Sequence, residues 1–288
     1  MSPLSAVPGV HRAAVLGSPI AHSLSPVLHA AAYQVLGLRW SYSAIECDEA
    51  QLPGVLMGLD ESFVGLSLTM PLKRAILPLL DDVSELAVAV GAANTVVFDG
   101  VGPFLRRRGE NTDVPGIVEA ITARRPDAVR NAVILGAGGT AAAALAALRE
   151  LGVDRSVVVV VRDQVRTGEL RRCADRLGVT PTVVDWPGRK ALGEADVIIS
   201  TVPAGATDQL ATQSPAGHGQ LLFDVLYDPW PTSFAVASLA AGAAVIGGLE
   251  LLVQQAARQV ELWTGRPAPI EEMRAAGEAA MAARSESA

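Results

Sequence analysis

Lysine is scarce in this chain. Two of its 23 basic residues, Lys73 and Lys190, are lysines and the rest are arginines. Arginine stays protonated at any working pH, whereas a lysine can lose its proton when buried or set among other charges. A lysine kept in this background marks a position that could need a titratable amine; the plain alternative is that an Ala-, Val-, Gly- and Arg-rich composition retains two by chance. Cysteine is sparse as well. Cys47 and Cys173 lie far apart with no metal-ligand spacing, which fits a reduced, cytosolic setting and implies no metal. Aromatic residues make up 4%, so the core must come from Ala, Val, Leu and Ile. Net positive charge is absent: the chain carries −7 with a pI near 5.2, which argues against a nucleic-acid partner or an anionic membrane surface. The local exception, Arg106-Arg107-Arg108, reads as a solvated loop. The N-terminus lacks the basic region and apolar run of a signal peptide. The uncharged segment Pro229–Leu249 is interrupted by Pro231, Gly242, Gly247 and Gly248, so it reads as a buried helix and strand and not as a membrane span.

What is present is an α/β pattern. Hydrophobic residues reach 50% of 288, enough for two domains or one large unit. Strand-like runs at 13–17, 41–47, 63–69 and 95–98 alternate with helical stretches at 26–36 and 48–57 and with helical turns reaching Val90. The pattern restarts at Asp113: helix 114–122, strand 132–135, helix 140–151, strand 157–161, helix 166–177, strands 197–200, 221–225 and 243–246, then a helix 249–263 and a polar helical tail. The expected division is 1–112 with 248–288 as one domain and 113–247 as the other.

Ala132-Val-Ile-Leu-Gly136-Ala137-Gly138-Gly139-Thr140 is an apolar strand, a glycine turn and a helix start. Glycines let the backbone approach a pyrophosphate, and the free N–H groups of the helix start stabilise its charge. With another strand ending at Val161, the context points to a Rossmann-type dinucleotide site. Ribose specificity should be set where that strand ends. Arg162 and Arg166 favour the 2′-phosphate of NADP, while Asp163 could accept the 2′-hydroxyl of NAD; two guanidinium groups tilt the balance to NADP.

In the first half, Ser23 and Ser25 precede a helix led by Pro26. Two hydroxyls with the N–H groups of that helix start suit a carboxylate, and N-capping by Ser25 explains the same residues equally well. His22 and His29 read as structural, since no metal or nucleophile spacing accompanies them. Gly91-Ala-Ala-Asn94-Thr95 and Gly109-Glu-Asn-Thr-Asp113 add polar groups at strand or loop edges. Asp113 stands where a cleft between two domains would form, or simply caps the next helix.

The ordered set Ser-Leu-Ser-Pro at 23–26, Ser-Leu-Thr-Met-Pro-Leu-Lys at 67–73, Gly-Ala-Ala-Asn-Thr at 91–95, Asn-Thr-Asp at 111–113, Gly-Ala-Gly-Gly-Thr at 136–140 and Gly-Leu-Glu-Leu-Leu-Val-Gln-Gln at 248–255 resembles the shikimate dehydrogenases from about residue 13 to 265, with an actinobacterial flavour around Tyr227 and Thr69-Met-Pro. The resemblance implies an N-terminal α/β substrate domain, completed by C-terminal helices, beside a Rossmann domain with the active site in the cleft between them. It implies that Ser23 and Ser25 hold the substrate carboxylate, that Thr69, Asn94, Asp113 and Gln255 bind ring hydroxyls, that Lys73 and Asp113 form the catalytic pair, and that Tyr227 lies near substrate and nicotinamide. Cofactor contacts extend to Thr201, Val202 and Gly248. Three departures stand out: Ser67 replaces a frequent asparagine, weakening one polar contact at most; Val161-Arg162-Asp163 replaces an Asn-Arg-Thr stretch; and the loop 201–205 lacks a methionine.

The implied reaction is NADPH-dependent reduction of 3-dehydroshikimate to shikimate. Alternatives are an NAD-linked quinate/shikimate or aminoshikimate dehydrogenase, and a non-catalytic nucleotide-binding sensor. The sequence leaves the oligomeric state open, a homodimer included.

Overall fold

A computed structural model describes residues 11–100, 105–125, 127–153 and 155–287. The chain forms two units. One takes the chain up to Val88, Ala92–Thr112 and Leu252 onward; the other takes Ala89–Gly91 and Asp113–Leu251.

The first unit begins β1 (Arg12–Gly17), α1 (Ser25–Val35), β2 (Ser41–Glu46), α2 (Leu52–Met57), β3 (Phe63–Leu68) and α3 (Leu72–Ala75). It continues β4 (Asp82–Val83), α4 (Glu85–Val90, whose last two residues fall in the other unit), β5 (Thr95–Asp99) and β6 (Arg106–Glu110). Its sheet runs β2-β1-β3-β5-β6-β4, with β1, β2 and β3 parallel and β5 antiparallel to both β3 and β6. One face packs Ala14, Leu16, Leu66, Leu68, Val96 and Phe98 against α2 and α3 in an aliphatic core. The other carries Ala13, Gly65 and Val97 in register.

The second unit holds α5 (Asp113–Arg124), β7 (Asn131–Leu135), α6 (Gly139–Glu150), β8 (Ser156–Val161), α7 (Gly168–Leu177), β9 (Thr182–Asp185), α8 (Arg189–Glu194) and β10 (Val197–Ser200). It ends with α9 (Asp208–Gln213), β11 (Leu221–Asp224), α10 (Ser233–Ala240), β12 (Ala244–Ile246) and the start of α11 (Gly248–Thr264). The rest of α11 and α12 (Ile270–Ser287) belong to the first unit. The sheet is parallel throughout, in the order β12-β11-β10-β7-β8-β9. This is the doubly wound order, whose strand sequence reverses between β7 and β10. The low aromatic content has its counterpart in α6, where every residue from Ala141 to Leu148 is buried. Alanine lets a helix enclosed on all sides lie close to its neighbours α5 and α7.

Several elements depart from the sequence reading. Arg106-Arg107-Arg108 begins strand β6 and is not a loop: Arg108 pairs with Asp99 and Glu110, Arg107 donates to the Leu79 carbonyl, and Arg106 is exposed. The helical stretch before Val90 is broken by β4. β9, α8 and α9 were not anticipated. The helix expected from Arg166 starts at Gly168 after a 3₁₀ turn, and the return to the first unit falls after Leu251, inside α11, four residues later than 248. The tail beyond Gly265 is ordered as α12, where Met273 is buried and Arg284 donates to the His22 carbonyl at 2.9 Å. Cys47 and Cys173 are buried free thiols, and burial pushes Cys173 up to about 11. No helix among the described residues is long and apolar enough to cross a membrane.

Candidate active site

In the first unit, parallel pairing brings the ends of β1 and β3 to one edge of the sheet, and β5, antiparallel to β3, starts there. Backbone bonds tie the segments together: Ser18 N–H to Met70 O at 3.0 Å, Leu68 N–H to Asn94 O at 2.7 Å, and Ala93 N–H to Lys73 O at 2.7 Å. The serine loop after β1, Thr69 and Lys73 after β3, and Asn94 before β5 therefore share one end of the unit. Lys73 is half-buried; Lys190 is exposed on α8 of the other unit.

The serine pair separates into two roles. The Ser23 hydroxyl accepts the Ser25 N–H at 3.3 Å, and Ser25 is itself the first residue of α1. N-capping by Ser25 is thus not what the structure contains. The Ser25 side chain is buried.

Asn94 is fully buried at the centre of a polar network. Its carbonyl accepts the Thr112 N–H at 2.7 Å, and its amide donates to Thr112 Oγ1 at 3.0 Å and to Gln255 Oε1 at 2.9 Å. One turn along α11, Gln259 donates to Thr95 Oγ1 at 3.0 Å and accepts from Ser67 Oγ at 2.9 Å and from His29 Nε2 at 3.2 Å. The third member of this i+4 row, Trp263, lies over Gly65 and donates to Val96 O at 3.1 Å. A Cβ on Gly65 would overlap the indole, so glycine is what admits the ring that fixes the helix.

Ser67, expected to weaken one contact, is joined on both sides: it meets the Tyr42 hydroxyl at 2.6 Å as well as Gln259. His29 is structural. It stacks on Tyr42 with centroids 4.0 Å apart and planes 4° from parallel, and burial lowers its pKa to about 3 against the raising effect of Gln259. Thr95 and Thr112 stood in the polar motifs without a role of their own, and Tyr42 and Gln259 were missed by sequence reasoning. The Gln255–Gln259–Trp263 spacing could have disclosed Gln259; Tyr42 carries no local signal.

In the second unit, Gly136 follows β7 and Thr201 follows β10, which places both at the strand-order reversal. Gly136 has φ +109°, and a Cβ there would stand 2.6 Å from Thr201 Oγ1, which donates to Leu135 O at 2.8 Å; Val202 is the next neighbour. Gly138 and Gly139 face open space, with Ala137 and Thr140 half-buried beside them. Ala141, fully buried, completes a Gly-x-Gly-x-x-Ala spacing that brings α6 against the sheet. This cradle fits a pyrophosphate. Arg162, just beyond β8, faces the Trp186 ring at 5.5 Å and donates to Ala206 O at 3.3 Å, and Asp163 accepts the Val165 N–H at 2.9 Å. Arg166 lies in the following 3₁₀ turn; its side chain is outside the described residues. Gly248 is packed on the backbone of Val225, where a side chain would collide, and its N–H bonds Leu226 O at 2.9 Å. Tyr227 is half-buried after β11. Asp113 is buried as the first residue of α5, where the helix N-terminus favours a carboxylate.

A doubly wound unit with a glycine cradle at its switch point, and a separate α/β unit carrying hydroxyls, amides and a lysine at one sheet end, define a two-unit dinucleotide-dependent α/β oxidoreductase. Comparison with known proteins narrows the class. Residues 15–96 match the shikimate dehydrogenase substrate binding domain and residues 248–276 the shikimate 5′-dehydrogenase C-terminal domain. The chain is 35% identical over 267 residues to shikimate dehydrogenase (NADP(+)) of Desulfitobacterium hafniense (strain Y51), covering 91% of this chain and 96% of that protein. It resembles the crystal structure of Mycobacterium tuberculosis shikimate dehydrogenase at 42% identity and a TM-score of 0.83, over 93% of this chain and 99% of that one. It also resembles the Thermus thermophilus shikimate 5-dehydrogenase solved with NADP(H) and shikimate, at 37% identity and a TM-score of 0.82, over 94% and 100% of the two chains. The chain belongs to the shikimate dehydrogenase family.

Proposed function

We propose that this chain reduces the ring ketone of 3-dehydroshikimate to shikimate, reversibly, with NADPH. The observation that carries the reading is the gathering of Thr69, Lys73 and Asn94 at one sheet end, joined through Leu68 and Ala93, with Gln255 bonded to Asn94. The first unit acts as the substrate domain and the second, Asp113–Leu251, as the nucleotide domain.

NADPH would be held by Gly136–Thr140, Thr201, Val202 and Gly248, with Arg162 and Arg166 directed to its 2′-phosphate, and supplies the hydride when bound. The chain's own part is binding and proton handling. Ser23 and Ser25 hold the carboxylate; Thr69, Asn94 and Gln255 fix the ring hydroxyls; Tyr227 covers the reacting face. Lys73 stabilises the charge that develops on the carbonyl oxygen and delivers its proton, and Asp113 orients the lysine and a substrate hydroxyl. The buried thiols suit a cytosolic enzyme, and sedimentation reads whether it works as a homodimer.

The test is kcat/KM for NADP and NAD with shikimate and with quinate, followed at 340 nm. NADP with shikimate should win by at least about tenfold, the value of one charge-assisted contact. A preference for quinate or NAD would favour the alternative carried by Asp163, and no turnover despite NADP binding would favour a sensor.

A further inference from the structure

Asp224 ends strand β11 and is fully buried, so it touches no substrate itself. Its carboxylate holds both ends of the loop that follows. Oδ1 accepts the Leu226 N–H at 3.3 Å, and Oδ2 accepts the Thr232 hydroxyl at 2.8 Å, where α10 begins. Tyr227 stands between the two.

The partners explain why the residue is an aspartate. Thr232 caps α10 by accepting the Ala235 N–H at 3.1 Å, so its own proton is left to give. Leu226 meets the carboxylate with its N–H, which can only donate. Both partners therefore require an acceptor. Asparagine has the same shape and is cheaper to bury, yet it offers one acceptor and one donor. Whichever way it turned, one of the two protons would face an NH2 group. The Leu226 carbonyl is held as well, accepting the Gly248 N–H at 2.9 Å. That carbonyl and the Tyr227 nitrogen share one planar peptide, so the direction in which the chain enters Tyr227 is set. Farther along, Trp230 lies against Gly247, where a Cβ would stand 2.6 Å from the indole.

We infer that Asp224 is a positioning residue for the reaction, a clasp on the loop 225–232 that acts through Tyr227. The inference rests on the reading of Tyr227 as the cover of the reacting face.

The experiment uses the full-length protein with shikimate and NADP. Asp224→Asn should lower kcat/KM for shikimate about tenfold, the effect of losing one hydrogen bond to a charged group. Amide exchange followed by mass spectrometry should quicken by a similar factor over residues 225–232 and stay unchanged in β7 and β10. Tyr227→Ala tests the underlying reading. Adding Asp224→Asn to Tyr227→Ala should cost less than about twofold more, since the residue it positions is gone. If Tyr227→Ala leaves kcat/KM unchanged, the reading of Tyr227 fails and this inference with it. If Tyr227→Ala lowers it but Asp224→Asn does not, or the two losses multiply in full, the role of Asp224 is overturned while that of Tyr227 stands. Exchange that rises throughout the unit, or nowhere, also overturns it, the first outcome marking a residue that serves stability alone. Should Asp224→Asn not fold, the pair Thr232→Ser and Thr232→Val gives the second reading. Serine keeps the hydroxyl and should hold kcat/KM within about twofold, whereas valine removes the donor to Oδ2 and should lower it about tenfold. Equal values for the two would overturn the inference.

Discussion

Asn94 donates its side-chain amide to Gln255 Oε1 at 2.9 Å while its carbonyl accepts the buried Thr112 N–H at 2.7 Å. One asparagine thus orients the glutamine proposed to bind a ring hydroxyl and satisfies the strand end that precedes Asp113. The two tasks separate by mutation. Asn94→Ala leaves the Thr112 N–H without its acceptor inside the protein, at a cost of about 1–3 kcal/mol, and also releases Gln255. Gln255→Ala, at a half-buried position, should raise KM for shikimate with little change in stability. Urea midpoints beside steady-state KM values check this. Equal destabilisation by both would show that the network serves folding alone.

Lys73→Ala should lower kcat by about a hundredfold or more, the usual scale for a positioned proton donor. Its NADP affinity should be unchanged, because the glycine cradle and Arg162 belong to the other unit. Nucleotide fluorescence titration and turnover together test this. Near-wild-type turnover would remove Lys73 from the mechanism.

The sequence disclosed those parts of the molecule whose signals are local. A strand, a glycine turn and an alanine-rich helix lie within twenty residues around Gly136, and each limits what the next can be. The lysine motif after β3 was legible for the same reason. Strand β6 was not, because the burden of Arg107 and Arg108 in a strand is relieved only where Asp99, Glu110 and the Leu79 carbonyl are there to receive them. Tyr42 and Gln259 stayed hidden because the contact that gives each its role lies 25 and 192 residues away, respectively, both at Ser67. Ser67 looked like a weakened position in isolation; beside a tyrosine that fills the adjoining space, it is a junction.

Arg162 should decide between the two cofactors. Its guanidinium lies over Trp186 and is anchored on the Ala206 carbonyl, so it is held ready beyond the β8 end. Arg162→Ala should raise KM for NADP by about 10–100-fold and leave NAD almost untouched, since only NADP carries the phosphate that a guanidinium can grip with paired hydrogen bonds. Arg162→Lys should recover little, because an ammonium neither stacks on the indole in the same way nor forms the paired bonds. Equal losses for both nucleotides would place Arg162 elsewhere in the site.

His29 should make stability depend on pH. Burial lowers its pKa to about 3, from an ordinary value of 6.5. Between those values the unfolded chain binds a proton at His29 that the folded chain refuses, so the contribution of this residue is complete above about pH 6.5 and is lost as pH falls toward 3. The slope is about 1.4 kcal/mol per pH unit within that window, so passing from pH 8 to pH 5 should cost roughly 2 kcal/mol through this group. In His29→Phe the flat ring can still stack on Tyr42, and Gln259 Oε1 keeps the Ser67 donor, so the variant should fold with a lower plateau at pH 8. Its loss between pH 8 and pH 5 should be smaller than that of the natural chain by that same amount, since the remaining titrating groups are common to both. Urea unfolding of the two proteins at both pH values measures the difference directly. Parallel pH dependences would mean that His29 accepts a proton without leaving its stack, and that the Tyr42–Gln259 network tolerates a charge at its centre.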